Sequence, residues 1–388
     1  VKSSKSQLSG ALLELCGALL DRSGTPDLVL RVATELAKSG DERGADAIRG
    51  LVPTTSSGAI ATPDKALAVV PNFSGETLTR SARVPVDRET SAPLATVLLP
   101  KALPATSPIL SPALTSAVQS WIAEWGRAAE LRTVGIEPAH TCVLFGDPGT
   151  GKTDLALWIA GQLGLPVILA RLDGLMSSFL GTTSRNIGNL FAFANRHRAI
   201  LVLDEFDAIA KLRDDPNEVG EIKRVVNTLL QNLDERADKG LTIGITNHPQ
   251  LLDPAVWRRF ELQIQLPKPD LQTRASIAER YAQPLRFTRG QLKLVASILE
   301  GASGAEILDV VRSLKKSWIL EGSNVCFANR LQNVISTHAA RVPAHVVATV
   351  NAPMRDFACM LHERYAFTLI ELSEVFGVNR TTISRWVS

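Results

Sequence analysis

Three short runs of apolar, mostly β-prone residues break an otherwise mixed pattern, at 142–145, 199–203 and 241–246. Runs of this length without alternation predict strands buried on both faces, as in parallel sheets. Around them, apolar positions recur at helical spacing. Residues 154–163 predict a helix directly behind the first strand, and Trp121, Ile122, Trp125 and Leu131 mark one face of a helix over 111–132 that leads into it. Strands alternating with helices predict an α/β domain, a parallel sheet with helices on both faces.

The flanks read differently. Leu8, Leu12, Leu15 and Leu19 share a helical face, Pro26 opens a second helix and 41–51 makes a third, so residues 1–52 predict a helical N-terminal region suited to assembly or substrate docking. Residues 53–75 are rich in Pro, Ser, Thr and Ala and lack periodicity, which predicts a linker. Short strands over 84–88 and 95–99 bring this connecting region to residue 110. At the C-terminal end, Leu372, Phe376, Val378, Ile383 and Trp386 fall at the buried positions of two short helices. Ser373 is the small residue where they cross, Gly377 makes the turn and Asn379 caps the second helix, so 369–388 predicts a helix-turn-helix.

Composition narrows the class. A chain of 388 residues, 45% hydrophobic and 21% charged, has room for two or three globular domains. A net charge of +3 is too small to predict nucleic-acid binding by itself. Cys16, Cys142, Cys326 and Cys359 lack metal-like spacing, and Cys142 falls in a core strand, which predicts free thiols in a reducing cytoplasm. No apolar run reaches membrane-spanning length and no export signal is visible, so a cytoplasmic protein without a membrane partner is expected. His362-Glu363-Arg364-Tyr365-Ala366 lacks the second histidine of a zinc-protease motif.

The chemistry concentrates behind the first strand. Gly146-Asp147-Pro148-Gly149-Thr150-Gly151-Lys152-Thr153 satisfies the P-loop pattern. Its glycines let backbone N–H groups turn inward around phosphate oxygens, Lys152 adds a point charge on the β and γ phosphates, and the Thr153 hydroxyl suits Mg²⁺ at the start of a helix. The strand over 199–203 ends in Asp204-Glu205, where an open α/β sheet places its ligands. Asp204 suits support of Mg²⁺ and Glu205 suits activation of water. Asn247 ends the third strand and suits orientation of that water or of the γ-phosphate. Arg258 and Arg259 have the guanidinium fork that matches phosphate oxygens.

Taken in this order, residues 116–318 resemble an AAA ATPase domain with a single aromatic pore loop. Gly135-Ile136-Glu137-Pro138 resembles the family's lead-in, which flanks adenine, and Leu203-Asp204-Glu205-Phe206-Asp207-Ala208-Ile209 resembles its Walker B strand. Asn247 falls on the sensor-1 position, and 253–260 resembles the arginine-finger segment of the katanin and spastin group. Residues 301–307 resemble the sensor-2 helix start, without the arginine, which implies packing near adenine instead of phosphate. The resemblance implies a P-loop large subdomain over 111–268, a small helical subdomain over 269–320, and a C-terminal helical region over 321–388. It further implies ATP and Mg²⁺ as ligands and a homo-oligomeric, hexameric ring in which Arg258 and Arg259 reach a neighbour's γ-phosphate.

Two outputs are compatible with these residues. Phe179, Leu180 and Gly181, in Met176-Ser177-Ser178-Phe179-Leu180-Gly181-Thr182, resemble a pore loop that grips an extended polypeptide, with a separate protease as a further partner. Residues 213–216 would form a second pore loop. Alternatively, Arg380, Thr381, Thr382 and Arg385 on the last helix suit contacts to DNA phosphates or base edges, although Glu371 and Glu374 weaken the local charge. That alternative is an ATP-switched DNA-binding regulator, or an ATPase of a mobile element or defence system, with no threaded polypeptide.

Overall fold

The apolar runs form the centre of a six-stranded sheet in the computed structural model of the chain, which describes residues 75–172, 180–208, 219–236, 239–322, 325–338, 347, 350 and 352–388. The expected helices of 1–52, the linker up to residue 74, Phe179 and residues 213–216 lie outside the described residues. The strands are β1 (Thr96–Leu98), β2 (Thr141–Phe145), β3 (Val167–Arg171), β4 (Ile200–Asp204), β5 (Thr242–Thr246) and β6 (Leu262–Gln265), in the order β1-β3-β4-β5-β2-β6. All neighbours run parallel except β1, which pairs antiparallel with β3 at one edge.

Helices cover both faces, which is why the strand residues are apolar without alternation. One face packs α1 (Pro112–Gly126) and α3 (Lys152–Gln162) on the sheet, with Trp121, Trp125 and Ile159 against Leu144, Val202 and Ile243. The other face packs α4 (Leu180–Arg196) and α5 (Val219–Arg236), with Phe191 and Leu229 against Val143, Leu201 and Leu203. Successive residues of β4 therefore belong to opposite cores.

Two local expectations change. The single helix expected over 111–132 is two, α1 and α2 (Ala128–Thr133), broken at Arg127 with φ −115° and ψ 21°. Gly126, with its low helix propensity, precedes the break. The strand expected over 84–88 is reduced to an isolated bridge between Val86 and Pro93. There the Asp87 carboxylate accepts the N–H groups of Glu89 and Thr90 and the Asn186 amide, so the backbone turns instead of extending.

After the short α6 (Pro254–Trp257) and β6 the chain is helical: α7 (Leu271–Ala282), α8 (Arg289–Ile298), α9 (Gly304–Glu321), α10 (Phe327–Thr337), α11 (Met354–Tyr365), α12 (Leu369–Phe376) and α13 (Arg380–Val387). Capping boxes open α8, α9 and α12, each pairing a Thr or Ser with a Gln or Glu three residues on. One apolar core runs from Ile277 to Ile383, across the boundary expected at residue 320. Among the described residues, no helix is long and apolar enough to cross a membrane.

Candidate nucleotide site

Residues 146–151 join β2 to α3 at the carboxyl edge of the sheet, where β4 and β5 also end. Gly146 and Gly149 have φ of 141° and 75°, a region that side chains disfavour. A Cβ on Gly146 would collide with the Leu266 carbonyl, and one on Gly149 would lie 2.8 Å from the Ser303 hydroxyl. The Gly149 carbonyl accepts a hydrogen bond from the Ala305 N–H at 3.1 Å. The loop is therefore bonded directly to the start of α9. That start meets the phosphate loop.

Lys152 is the first residue of α3 and is buried, its ammonium donating to the Gly146 and Asp147 carbonyls at 2.8 Å each. Burial lowers its pKa, opposed by the nearby Asp204, Asp147 and Asp207 carboxylates. The Thr153 hydroxyl donates to Asp204 Oδ2 at 3.0 Å, and Asp204 Oδ1 accepts the Glu205 N–H at 2.8 Å. Glu205 has a φ of 55°, uncommon for a residue with a side chain. Its carboxylate forms an ion pair of 2.8 Å with Arg171, the last residue of β3 and the register partner of Asp204.

Asn247 follows β5 and is fixed from behind. Asp207, buried, accepts from the Thr246 hydroxyl at 3.2 Å and from the Asn247 N–H at 3.4 Å. The sequence reading assigned no task to Arg171 or Asp207. Asp207 carried a signal, as the next acid after Asp204-Glu205; a single arginine at a strand end carries none.

A cavity of about 770 Å³ is lined by Pro148, Gly149, Thr150, Gly151, Lys152, Thr153, Asp204, Glu205 and Asn247. It is also walled by Ile109 and Leu110, by Ile277 and Tyr281 of α7, and by Leu308 of α9. Residues 135–138, expected to flank adenine, do not line it; Glu137 instead pairs with Arg132 at 2.8 Å and Ile136 is 55% exposed. Residues 104–110 take their place in the wall. Neither Arg258 nor Arg259 lines the cavity: Arg258 is exposed, and Arg259 pairs with Asp234 at 3.0 Å.

Leu180 and Gly181 are the first residues of α4, so they open a helix where a loop was expected. At the other end of the chain, Gly377 ends α12 in a left-handed conformation, with φ 66°. Arg380, Thr381 and Arg385 are exposed on α13, Thr382 is half-buried and Ile383 is buried beneath them. Asn379 occupies the N-cap position of α13, but its side chain makes no capping bond.

A glycine loop between a parallel strand and a helix, a Thr–Asp pair beneath it and acids at the end of β4 define a P-loop nucleotide-binding fold. Residues 142–268 match the family model "ATPase family associated with various cellular activities (AAA)". Over these residues the chain thus carries an AAA ATPase domain. It is 38% identical over 204 residues to the uncharacterized AAA family ATPase y4kL of Sinorhizobium fredii, covering 51% of this chain and 60% of that protein. It is 35% identical over 181 residues to the proteasome-activating nucleotidase of Thermococcus kodakarensis, covering 45% and 46%. The chain therefore spans about half the length of these relatives. The crystal structure of the FIGL-1 AAA domain aligns at a TM-score of 0.48 and 20% identity, covering 62% of this chain and 85% of that one.

Proposed function

We propose that this protein hydrolyses ATP in the cleft between the P-loop and helices α7 and α9, as part of a homo-oligomeric ring that remodels protein substrates. The observation that carries the hydrolysis is that Lys152, Thr153, Asp204, Glu205 and Asn247 line a single cavity. Lys152 neutralises phosphate charge, and the inward N–H groups of the loop hold the phosphate oxygens. The Thr153 hydroxyl and the Asp204 carboxylate, 3.0 Å apart, are a hard oxygen pair that fits Mg²⁺. When bound, that ion neutralises charge on the phosphates. Glu205 takes a proton from the attacking water once its carboxylate leaves Arg171, and Asn247 orients that water. Arg258, exposed and outside its own cleft, serves the neighbouring subunit together with Arg259.

Protein remodelling is supported by likeness to proteins named proteasome-activating nucleotidases. In this reading Phe179, Leu180 and Gly181 contact the polypeptide. The test loads Glu205→Gln rings with ATP and adds a fluorescently labelled unfolded protein. Retention by the loaded ring, with release from the wild type as ATP is consumed, is expected. Rings that hold ATP but never retain polypeptide would sink the remodelling reading.

A second reading has its own observation, the exposure of Arg380, Thr381 and Arg385 over a buried Ile383. Here α13 contacts duplex DNA, and the ATP state sets its occupancy.

A further inference from the structure

We infer that the α12–α13 hairpin forms one body with the helices that wall the nucleotide cleft, so that duplex DNA on α13 and nucleotide in the cleft change each other's affinity. The inference rests on the DNA reading of α13. Its first support is where the acids go. Glu371 accepts from the Lys293 ammonium of α8 at 2.9 Å, and Glu374 accepts from the Gly290 N–H of α8 at 2.9 Å. Lys293 also donates to the Ala366 carbonyl at 2.8 Å and lies 4.4 Å from the centre of the Phe367 ring. Both carboxylates that diluted the positive charge of this segment are thus bonded to α8. The sequence of α13, Arg-Thr-Thr-Ile-Ser-Arg-Trp-Val, contains two arginines and three hydroxyls and no acid. Its outer face suits a polyanion.

The second support is mechanical. The core that buries Leu372, Phe376 and Ile383 also buries Ile277 and Ala278 of α7 and Ile307 and Val311 of α9. α7 and α9 wall the cleft through Ile277, Tyr281 and Leu308, and α9 is bonded to the P-loop through Ala305. Side chains in such a core are close-packed, so the helical body moves as a unit. A nucleotide that changes the angle between α9 and the sheet about this P-loop joint therefore reorients α13 relative to the sheet.

Reorientation alters affinity only where DNA distinguishes the two arrangements. Two arginines neutralise about two phosphates, which gives one copy a weak grip. Several copies on one duplex bind through effective concentration, which depends on whether their spacing and angle match the helix. The nucleotide sets that geometry in the assembled protein, and DNA must return the same factor to nucleotide binding.

The test uses the full chain at low salt, with fluorescein-labelled random-sequence duplexes of about one turn (~10 base pairs) and about five turns (~50 base pairs). Affinity is measured with ADP, with a non-hydrolysable ATP analogue and without nucleotide. The expected result is a difference of about 5–150-fold between nucleotide states on the long duplex, less than about twofold on the short one, and a reciprocal shift in nucleotide affinity. Lys293→Ala, which frees the Glu371 charge and loosens the joint, should weaken long-duplex binding and shrink that difference. If Lys293→Ala does not fold, the wild-type comparison decides alone. Equal long-duplex affinity in every nucleotide state would overturn the linkage and leave DNA binding standing. No duplex binding in any state would overturn the DNA reading itself, and the linkage with it.

Discussion

At the scale of single residues, the proposed mechanism gives Lys152 and Glu205 separable work in one cleft. Lys152 is a buried cation whose partners are the loop's own carbonyls, so its removal leaves the phosphates without that counter-charge. Lys152→Ala should abolish ATP binding, as read by fluorescent-nucleotide titration. Glu205→Gln keeps the shape and removes only the base, so it should bind ATP normally and lose ~10²–10⁴-fold in turnover. Unchanged phosphate release from Glu205→Gln would remove that carboxylate from the mechanism. Arg171 makes a subtler case. Its ion pair with Glu205 has side chains 63% and 35% exposed, and partly exposed pairs contribute about 0.2–1 kcal/mol. Breaking the pair frees the base, so Arg171→Ala should raise basal turnover by up to about fivefold, the same energy expressed as a rate. A fall in turnover would mean that Arg171 holds Glu205 in its working position.

At the scale of elements, β2, β4 and β5 were legible because burial on both faces leaves a plain apolar run, as in Ile200-Leu201-Val202-Leu203, whereas β3 and β6 were not read as strands. The P-loop was legible because its glycines, lysine and threonine have few other reasons to occur at that spacing. The rest of the cleft wall was not. Ile109 and Leu110 follow a proline-rich stretch without periodicity, and nothing local says that α7 and α9 will fold back over them. The Arg171–Glu205 and Lys293–Glu371 pairs were also illegible, since pairing across 34 and 78 residues depends on the assembled fold. The joint between P-loop and α9 yields a prediction at this scale. Gly149→Ala must adopt a left-handed backbone, at about 1–2 kcal/mol, and places its Cβ 2.8 Å from the Ser303 hydroxyl. Gly304→Ala, across the same joint, meets the Gly149 carbonyl at 3.4 Å and Ile277 Cδ1 at 4.0 Å, with no contact under 3.0 Å. Thermal unfolding should show a lowered midpoint for Gly149→Ala, and nucleotide should rescue it less than the wild type. Gly304→Ala should stay much closer to the wild type. Equal effects would mean that contact at this joint is not tight.

At the scale of the whole molecule, the proposed finger role of Arg258 would make activity a property of an assembly. Arg258 is exposed and lies outside its own cleft, while Arg259 is held by Asp234 at 3.0 Å and must exchange that partner to meet a phosphate. A guanidinium acting across a subunit boundary stabilises charge that develops during transfer and adds little to ground-state binding. Arg258→Ala should therefore bind ATP nearly as the wild type does and lose hydrolysis, by up to ~10³–10⁵-fold if it is a full finger. Mixing separates this from a local defect. An Arg258→Ala subunit keeps its own Glu205, and a Glu205→Gln neighbour keeps its Arg258, so the interface that joins them in that order is complete. In an equal mixture of a head-to-tail ring, about a quarter of the interfaces have that order, so the mixture should recover up to about a quarter of wild-type turnover. Neither variant alone should approach it. Wild-type turnover per subunit should also rise with protein concentration until the ring is populated, and phosphate release across a dilution series measures this. Turnover per subunit that is constant on dilution to the monomer, together with no recovery in the mixture, would mean that each cleft works alone and that Arg258 belongs to the surface.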